Sequence, residues 1–254
     1  MPFFKAGRLI DRPFIVDDGD CRRLQFSAYD LQSQMSLAEP HALQIAYTQV
    51  MMTFLLFQPY PRHIVIVGLG GGSLTKFCHQ HLRTARITTV EVSREVIRLV
   101  PWFHIPAEDT RMRIVHANAV EYFATTREWA DVVLLDGCDE MGTAQEFRSE
   151  AFYHSVRQRL RPGGLLVANL CGTRGMMDTH EQLIAQTFEK RTVTLPVLID
   201  TNRIAFGFNA PFRQPDWRSF NSDAEQLARH YKLDFPGFAK GFQRRYQKNA
   251  GRHA

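Results

Sequence analysis

The sequence predicts an α/β fold: a mostly parallel, seven-stranded sheet that ends in an antiparallel hairpin. Three observations predict it. Apolar, β-branched runs of strand length alternate with helix-length segments from residue 64 to residue 169. The first run, Ile64-Val-Ile-Val67, stops at Gly68-Leu-Gly70-Gly71-Gly72, a tight turn leading into a helix-compatible segment. The last two runs, 192–199 and 203–208, flank Asp200-Thr-Asn202, which reads as a hairpin turn rather than a crossover.

The elements follow in order. Residues 1–40 read as short strands and turns: Phe14-Ile-Val, the turn signal Asp17-Asp-Gly-Asp20, then the alternating Arg23-Leu-Gln-Phe-Ser. Ser36 to Phe57 reads as a helix, with Ser36 as N-cap, Glu39 completing a capping box, Pro40 near the start, and Pro59 and Pro61 ending it. Strands are then expected at 64–67, 87–91, 112–115, 131–135 and 164–169, with helices at 73–83, 93–100, 118–125 and 149–160. Arg161-Pro-Gly-Gly164 separates the last of these helices from its strand. The expected organisation is a small β-rich region plus a helix over 1–58, a Rossmann-like domain over 59–212, and a helical C-terminal extension over 213–254. No repeat or low-complexity segment interrupts it.

Composition narrows the function classes. A chain of 254 residues, 44% hydrophobic and 22% charged, suits a soluble globular protein with ample core. The apolar stretch Val50–Phe57 falls far short of a membrane span, and the first residues lack a signal-peptide pattern, so no membrane and a cytoplasmic location are expected. The net charge of +5 is matched by Lys240, Arg244, Arg245, Lys248 and Arg252, in a tail over 240–254 that has no acid. The remaining chain is balanced. Nucleic acid is therefore not an expected partner, and the tail is the one hint of an anionic one. Cys21, Cys78, Cys138 and Cys171 stand singly and read as reduced, structural thiols. Cys78-His79-Gln80-His81 has metal-binding residue types, but positions i and i+2 do not share a helix face, so no metal is expected.

The chemistry centres on carboxylates at strand ends. Glu91 closes Ile87-Thr-Thr-Val-Glu91, where an acid can accept both hydroxyls of a ribose while glycine backbone approaches the ligand. An adenosine-like group is the expected ligand. The spacing G-x-G-x-G and the terminal hairpin fit a class I S-adenosylmethionine-dependent methyltransferase fold. A dinucleotide dehydrogenase would carry glycine where Ser73 stands. Asp136 and Asp139 follow the run Asp131–Leu135, where open α/β sheets bind ligands. Trp102, Phe103, Asn169 and Cys171 are further pocket candidates, each as compatible with a core or strand-end role.

The segment Asp136-Gly-Cys-Asp-Glu-Met-Gly-Thr-Ala-Gln-Glu-Phe-Arg-Ser-Glu-Ala-Phe-Tyr153 resembles the D-S-S-D-P-x-G-P-A-x-x-L-F-x-x-x-F-Y motif of the spermidine/spermine synthase (polyamine aminopropyltransferase) family. Gly68–Leu74 sits at that family's G-G-G-D-G-G loop, Val90-Glu-Val at its V-E-I-D, and Ala117-Asn-Ala-Val-Glu-Tyr-Phe123 at its G-D-x-x-x-F/Y-L. Tyr47-Thr-Gln-Val-Met51 falls near its Y-x-E-M helix. The resemblance covers roughly residues 35–170 and implies a set of roles. Asp136 would be the catalytic base, and Asp139 and Tyr47 would bind substrate. Gly68, Gly70, Gly71, Gly72, Glu91, Val92, Asn118, Ala119, Asp136 and Gly137 would hold decarboxylated S-adenosylmethionine or S-adenosylmethionine. Glu91 would take the ribose hydroxyls and Asn118, usually Asp, the adenine amino group. A small-molecule amine or another small substrate and a homodimer are the implied partners.

Two departures keep the reaction open. The family's loop Asp, which holds the ammonium of the aminopropyl arm, is Gly71 here, and the Glu of its Y-x-E-M helix is Gln49. Three readings are carried forward: aminopropyl transfer to a polyamine, methyl or related alkyl transfer from S-adenosylmethionine to a small substrate, and a non-catalytic nucleoside-binding protein.

Overall fold

A computed structural model describes residues 13–27, 30–139, 142–197 and 201–250. Strands β1 (Phe14–Asp18), β2 (Cys21–Ser27) and β3 (Asp30–Ser36) form an antiparallel sheet in the order β1-β2-β3. The main sheet has seven strands: β4 (His63–Val67), β5 (Arg86–Glu91), β6 (Met112–His116), β7 (Ala130–Leu135), β10 (Leu160–Leu170), β11 (Thr192–Pro196) and β12 (Arg203–Phe208). Their order is β11-β12-β10-β7-β4-β5-β6. The pairs from β10 to β6 are parallel, while β12 runs antiparallel to both β10 and β11. This is the mostly parallel sheet with a closing hairpin that the sequence predicts. A two-residue hairpin, β8 (Cys138–Asp139) with β9 (Gly142–Thr143), stands beyond the end of β7.

Strand residues are apolar on both sides because helices cover both sheet faces. Ile64, Ile66, Val132, Leu134, Leu165 and Val167 face one cluster, which continues through Met51, Phe54, Phe220 and Phe242 to Leu24 and Met35 of the small sheet. Val65, Val67, Val133, Leu135, Leu166 and Ala168 face the other, against α4 (Ala119–Thr125), α5 (Glu150–Gln158) and α6 (Arg174–Thr187). Leu134 has no solvent contact. Leu134→Ala at such a site costs about 2–5 kcal/mol. Helices α7 (Trp217–Tyr231) and α8 (Phe235–Ala250) complete the described chain, with α8 against β11. Among the described residues no helix is long and apolar enough to cross a membrane.

The helix expected from Ser36 begins ten residues late, as α1 (Ala46–Met51), followed by a 3-10 turn over Met52–Leu56. Ser36 does accept a hydrogen bond from the Glu39 N–H at 3.2 Å, but residues 37–45 form turns. Glu39 precedes Pro40, whose ring disfavours helical backbone at the residue before it, so the cap heads a turn instead. Strand β3 and helix α6 are elements the pattern did not announce. Arg161-Pro-Gly-Gly164 proves to be an irregularity within β10, where the register shifts between Leu160 and Leu165, rather than a break before it.

Candidate active site

The carboxyl ends of β4, β5, β7 and β10 open on a cavity of about 660 Å³. Gly68 makes this meeting of strands possible. It sits at φ +92°, and a Cβ there would lie 2.2 Å from the Asp136 carbonyl oxygen. Its N–H donates to Val90 O at 2.9 Å, while the Asp136 N–H donates to Val67 O at 2.9 Å. The turn is stitched to both neighbouring strands, so a side chain at 68 would force those strand ends apart.

Glu91, at the end of β5, is 8% exposed. Its Oε2 accepts from the Leu69 N–H and its Oε1 from the Ser93 N–H, each at 2.8 Å. Burial pushes the carboxyl above its ordinary range, and the backbone N–H groups oppose that shift. A carboxylate offers about four lone-pair sites, so capacity remains for a pair of ligand hydroxyls. Val92, exposed and apolar, lines the cavity beside it.

Asp136 follows β7 and is partly buried at the cavity wall. The Asn169 amide donates to its Oδ1 at 2.8 Å, and the Tyr47 hydroxyl of α1 donates to its Oδ2 at 3.1 Å. Removal from water raises its pKa to about 6 against the downward pull of these two hydrogen bonds. A carboxylate poised there exchanges protons near neutral pH.

Of the sequence-predicted residues, Tyr47, Gly68, Gly70, Glu91, Val92, Ala119, Asp136, Gly137, Asn169 and Cys171 line this one cavity. Gly71, Gly72 and Asn118 are not among its lining residues. Gly72 is the N-cap of α2 (Ser73–His81). A Cβ on Gly71 would meet Ser33 Oγ at 2.7 Å and the Phe103 ring at 2.8 Å, so packing fills the volume an acid would need. Asn118 caps α4: its Oδ1 accepts from the Val120 N–H at 2.8 Å, and its Nδ2 donates to Glu146 Oε2 at 3.2 Å. Glu146 itself reaches the cavity. The side chain of Asp139 lies outside the described residues. Gln49 donates to Leu43 O at 2.8 Å, closing its own turn. Trp102 is exposed in a separate groove near Arg22, whereas Phe103 is core.

Among the lining residues that no motif announced are Ser33 from β3 and Asn202 beside β12, and Glu146 lines the cavity from a variable position of the Asp136–Tyr153 segment. The cysteine reading needs correction, because Cys138 and Cys171 form a disulfide. Strand register explains the pairing. Leu135 stands opposite Ala168 on adjacent parallel strands, and each cysteine lies three residues further on. Cys21 and Cys78 remain free thiols.

The electrostatic character is one-sided. Among the described residues the wall carries Glu91, Asp136 and Glu146 and no Lys, Arg or His. No described group of His, Cys, Asp and Glu has the makings of a metal site.

A family model for the spermine/spermidine synthase domain matches residues 44–199. The polyamine aminopropyltransferase of Chromobacterium violaceum is 28% identical over 93% of this chain and 91% of its own. That of Neisseria meningitidis serogroup A is 29% identical, covering 94% and 91%. Among solved structures, a probable spermidine synthase from Corynebacterium glutamicum superposes with a TM-score of 0.70 at 20% identity, covering 84% of this chain and 83% of that one. Human methyltransferase-like protein 13, in complex with SAH, gives 0.67 at 22% identity, covering 74% and 93%. At such identities the structures speak for the fold.

Proposed function

This chain belongs to the spermine/spermidine synthase domain family, and from that premise we propose that it transfers an aminopropyl group from decarboxylated S-adenosylmethionine to a small polyamine. The observation that carries the reading is the cavity wall, with three carboxylates and no cation among its described residues. Both proposed reactants are cationic, and a desolvated ammonium needs a counter-charge.

The amine must first lose a proton, since an ammonium has no lone pair. Asp136, with its pKa near 6, accepts that proton directly or through water. The amine nitrogen then bonds to the aminopropyl carbon next to the sulfonium. The carbon–sulfur bond breaks, its electron pair stays on sulfur, and a neutral thioether leaves on the nucleoside. Glu91 takes the ribose hydroxyls, with Gly68, Gly70 and Gly137 supplying close backbone and Val92 and Ala119 apolar contact for the base. The Asn118–Glu146 pair borders the base edge, with Gly71 and Gly72 shaping the loop. Tyr47 orients Asp136. Asp139 is the proposed second carboxylate for the acceptor amine.

A methyl-transfer reading rests on Gly71, where no acid meets the ligand tail. Ordinary S-adenosylmethionine would, however, bring a carboxylate into this acid-lined, cation-free cavity. Calorimetric titration separates the two. The decarboxylated form is expected to bind at least about tenfold more tightly, or 1.4 kcal/mol. A preference of that size for the carboxylated form overturns the proposal. A homodimer is the state proposed from the family resemblance, tested by light scattering.

A further inference from the structure

Asp136 is held by more than its immediate partners. Asn169, 2% exposed at the end of β10, is a two-ended group: its Nδ2 donates to Asp136 Oδ1 at 2.8 Å, while its Oδ1 accepts from Asn202 Nδ2 at 2.9 Å. An amide can turn about its axis and exchange the two ends. A carboxylate only accepts hydrogen bonds, so a turned Asn169 would set its carbonyl oxygen against Asp136 and remove a donor. In the observed arrangement the Asn202 amide donates to the Asn169 oxygen and so gives that oxygen a partner on the side away from Asp136. The two amides therefore form a one-way relay, running from the start of the antiparallel β12 to the carboxylate after β7.

We propose that Asn202 is a positioning residue, which by fixing the orientation of the Asn169 amide keeps Asp136 ionised and aimed into the cavity. The inference rests on the reading of Asp136 as the base. The surroundings leave the relay in control of that carboxylate. From α1 it faces the Tyr47 hydroxyl; from β10, the Asn169 amide. The Cys138–Cys171 disulfide, which joins the ends of β7 and β10 just beyond Asp136 and Asn169, does not titrate. Glu91 and Glu146 lie in other parts of the same wall. Arg203, next to Asn202, is turned away to Asp178 Oδ1 at 2.7 Å and Glu181 Oε1 at 2.8 Å. Among the described residues, donated hydrogen bonds are what favour the charged form here.

The test uses Asn202→Asp, nearly isosteric but acceptor-only, and Asn202→Ala, which removes the donor without adding charge. Two readouts are taken on the full chain: the acid limb of the kcat–pH profile for aminopropyl transfer, and the midpoint of the Asp136 carboxyl by carbon-13 NMR, assigned with Asp136→Asn. Both midpoints are expected to rise, by about one unit in Asn202→Asp and less in Asn202→Ala, while KM changes less than about twofold. Unmoved midpoints in both variants overturn the relay. So does a raised KM with the acid limb unchanged, which would make Asn202 a substrate contact. If the wild-type chain shows no transfer, the functional reading fails, and the NMR midpoints still decide the relay.

Discussion

At the Glu91 end of the cavity, proposed for the ribose, the constraint lies in the backbone. Glu91 binds two N–H groups of the loops it borders, and Gly68 is fixed by a carbonyl oxygen 2.2 Å from where its Cβ would be. At the tail end, the constraint lies in side chains. Gly71 is closed off by Ser33 from the small sheet and by the Phe103 ring, whose backbone oxygen accepts from the buried Lys76 Nζ at 2.8 Å. A backbone constraint is met by any ligand that shares the nucleoside. A side-chain constraint can change with neighbouring elements and leave the fold intact. On the proposed reading, the nucleoside subsite is retained where the acid for the ligand tail is not, and the counter-charge for that tail comes from acids elsewhere in the wall.

The largest effect tests the centre between the two ends. Asp136→Asn is expected to lower kcat by about 10²–10⁴-fold, with nucleoside affinity changed only a few-fold. A variant with full transfer activity would remove Asp136 from the chemistry. Next, Glu91→Ala is expected to weaken nucleoside binding by about a hundredfold, because the hydroxyl contacts vanish and two backbone donors lose their acceptor. Calorimetry checks this, and unchanged affinity would place the ribose elsewhere.

The tail end predicts a loss of stability rather than a gain of function. Gly71→Asp is expected to destabilise the chain by about 1–3 kcal/mol through overpacking against Phe103. Denaturant unfolding should show a smaller penalty when the same change is made in a Phe103→Ala background. Equal penalties in both backgrounds would mean that Phe103 is not the obstacle.

The smallest effect is a pH-dependent one. The folded-state pKa of Asp136 is raised, to about 6. Its contribution to stability is therefore fully present below the unfolded carboxyl pKa, near 3.9, and is lost as pH rises through about 6. Asp136→Asn should accordingly be more stable than the parent at pH 7.5, by about 1–2 kcal/mol after allowance for the carboxylate's contact with water. The advantage should fade toward pH 4. A thermal melt series that shows no such trend would deny that ionising Asp136 costs the folded chain stability.

Much of this was legible because it lies on one stretch of chain. The strand runs, the glycine turn, Glu91, Asp136 and the closing hairpin are local patterns, each written in consecutive residues. What escaped depends on contacts between distant elements. Helix α6 buries Met177, His180, Ile184 and Thr187 at helical spacing, but with His and Thr in the stripe its apolar signal is muted. The Cys138–Cys171 bond follows from the β7–β10 register, which sequence spacing does not reveal. Asn202 acquires a role only through Asn169, which lies 33 residues away. The apparent capping box at Ser36 is the opposite case, a local signal that a neighbouring proline diverts into a turn.

The central claim is most directly tested by product analysis. The purified chain is incubated with putrescine and either decarboxylated S-adenosylmethionine or S-adenosylmethionine, and the products are identified by mass spectrometry. Aminopropyl transfer predicts spermidine and methylthioadenosine in equal amounts from the decarboxylated form alone. A methylated amine with S-adenosylhomocysteine, formed from the carboxylated cofactor in place of spermidine, would contradict it.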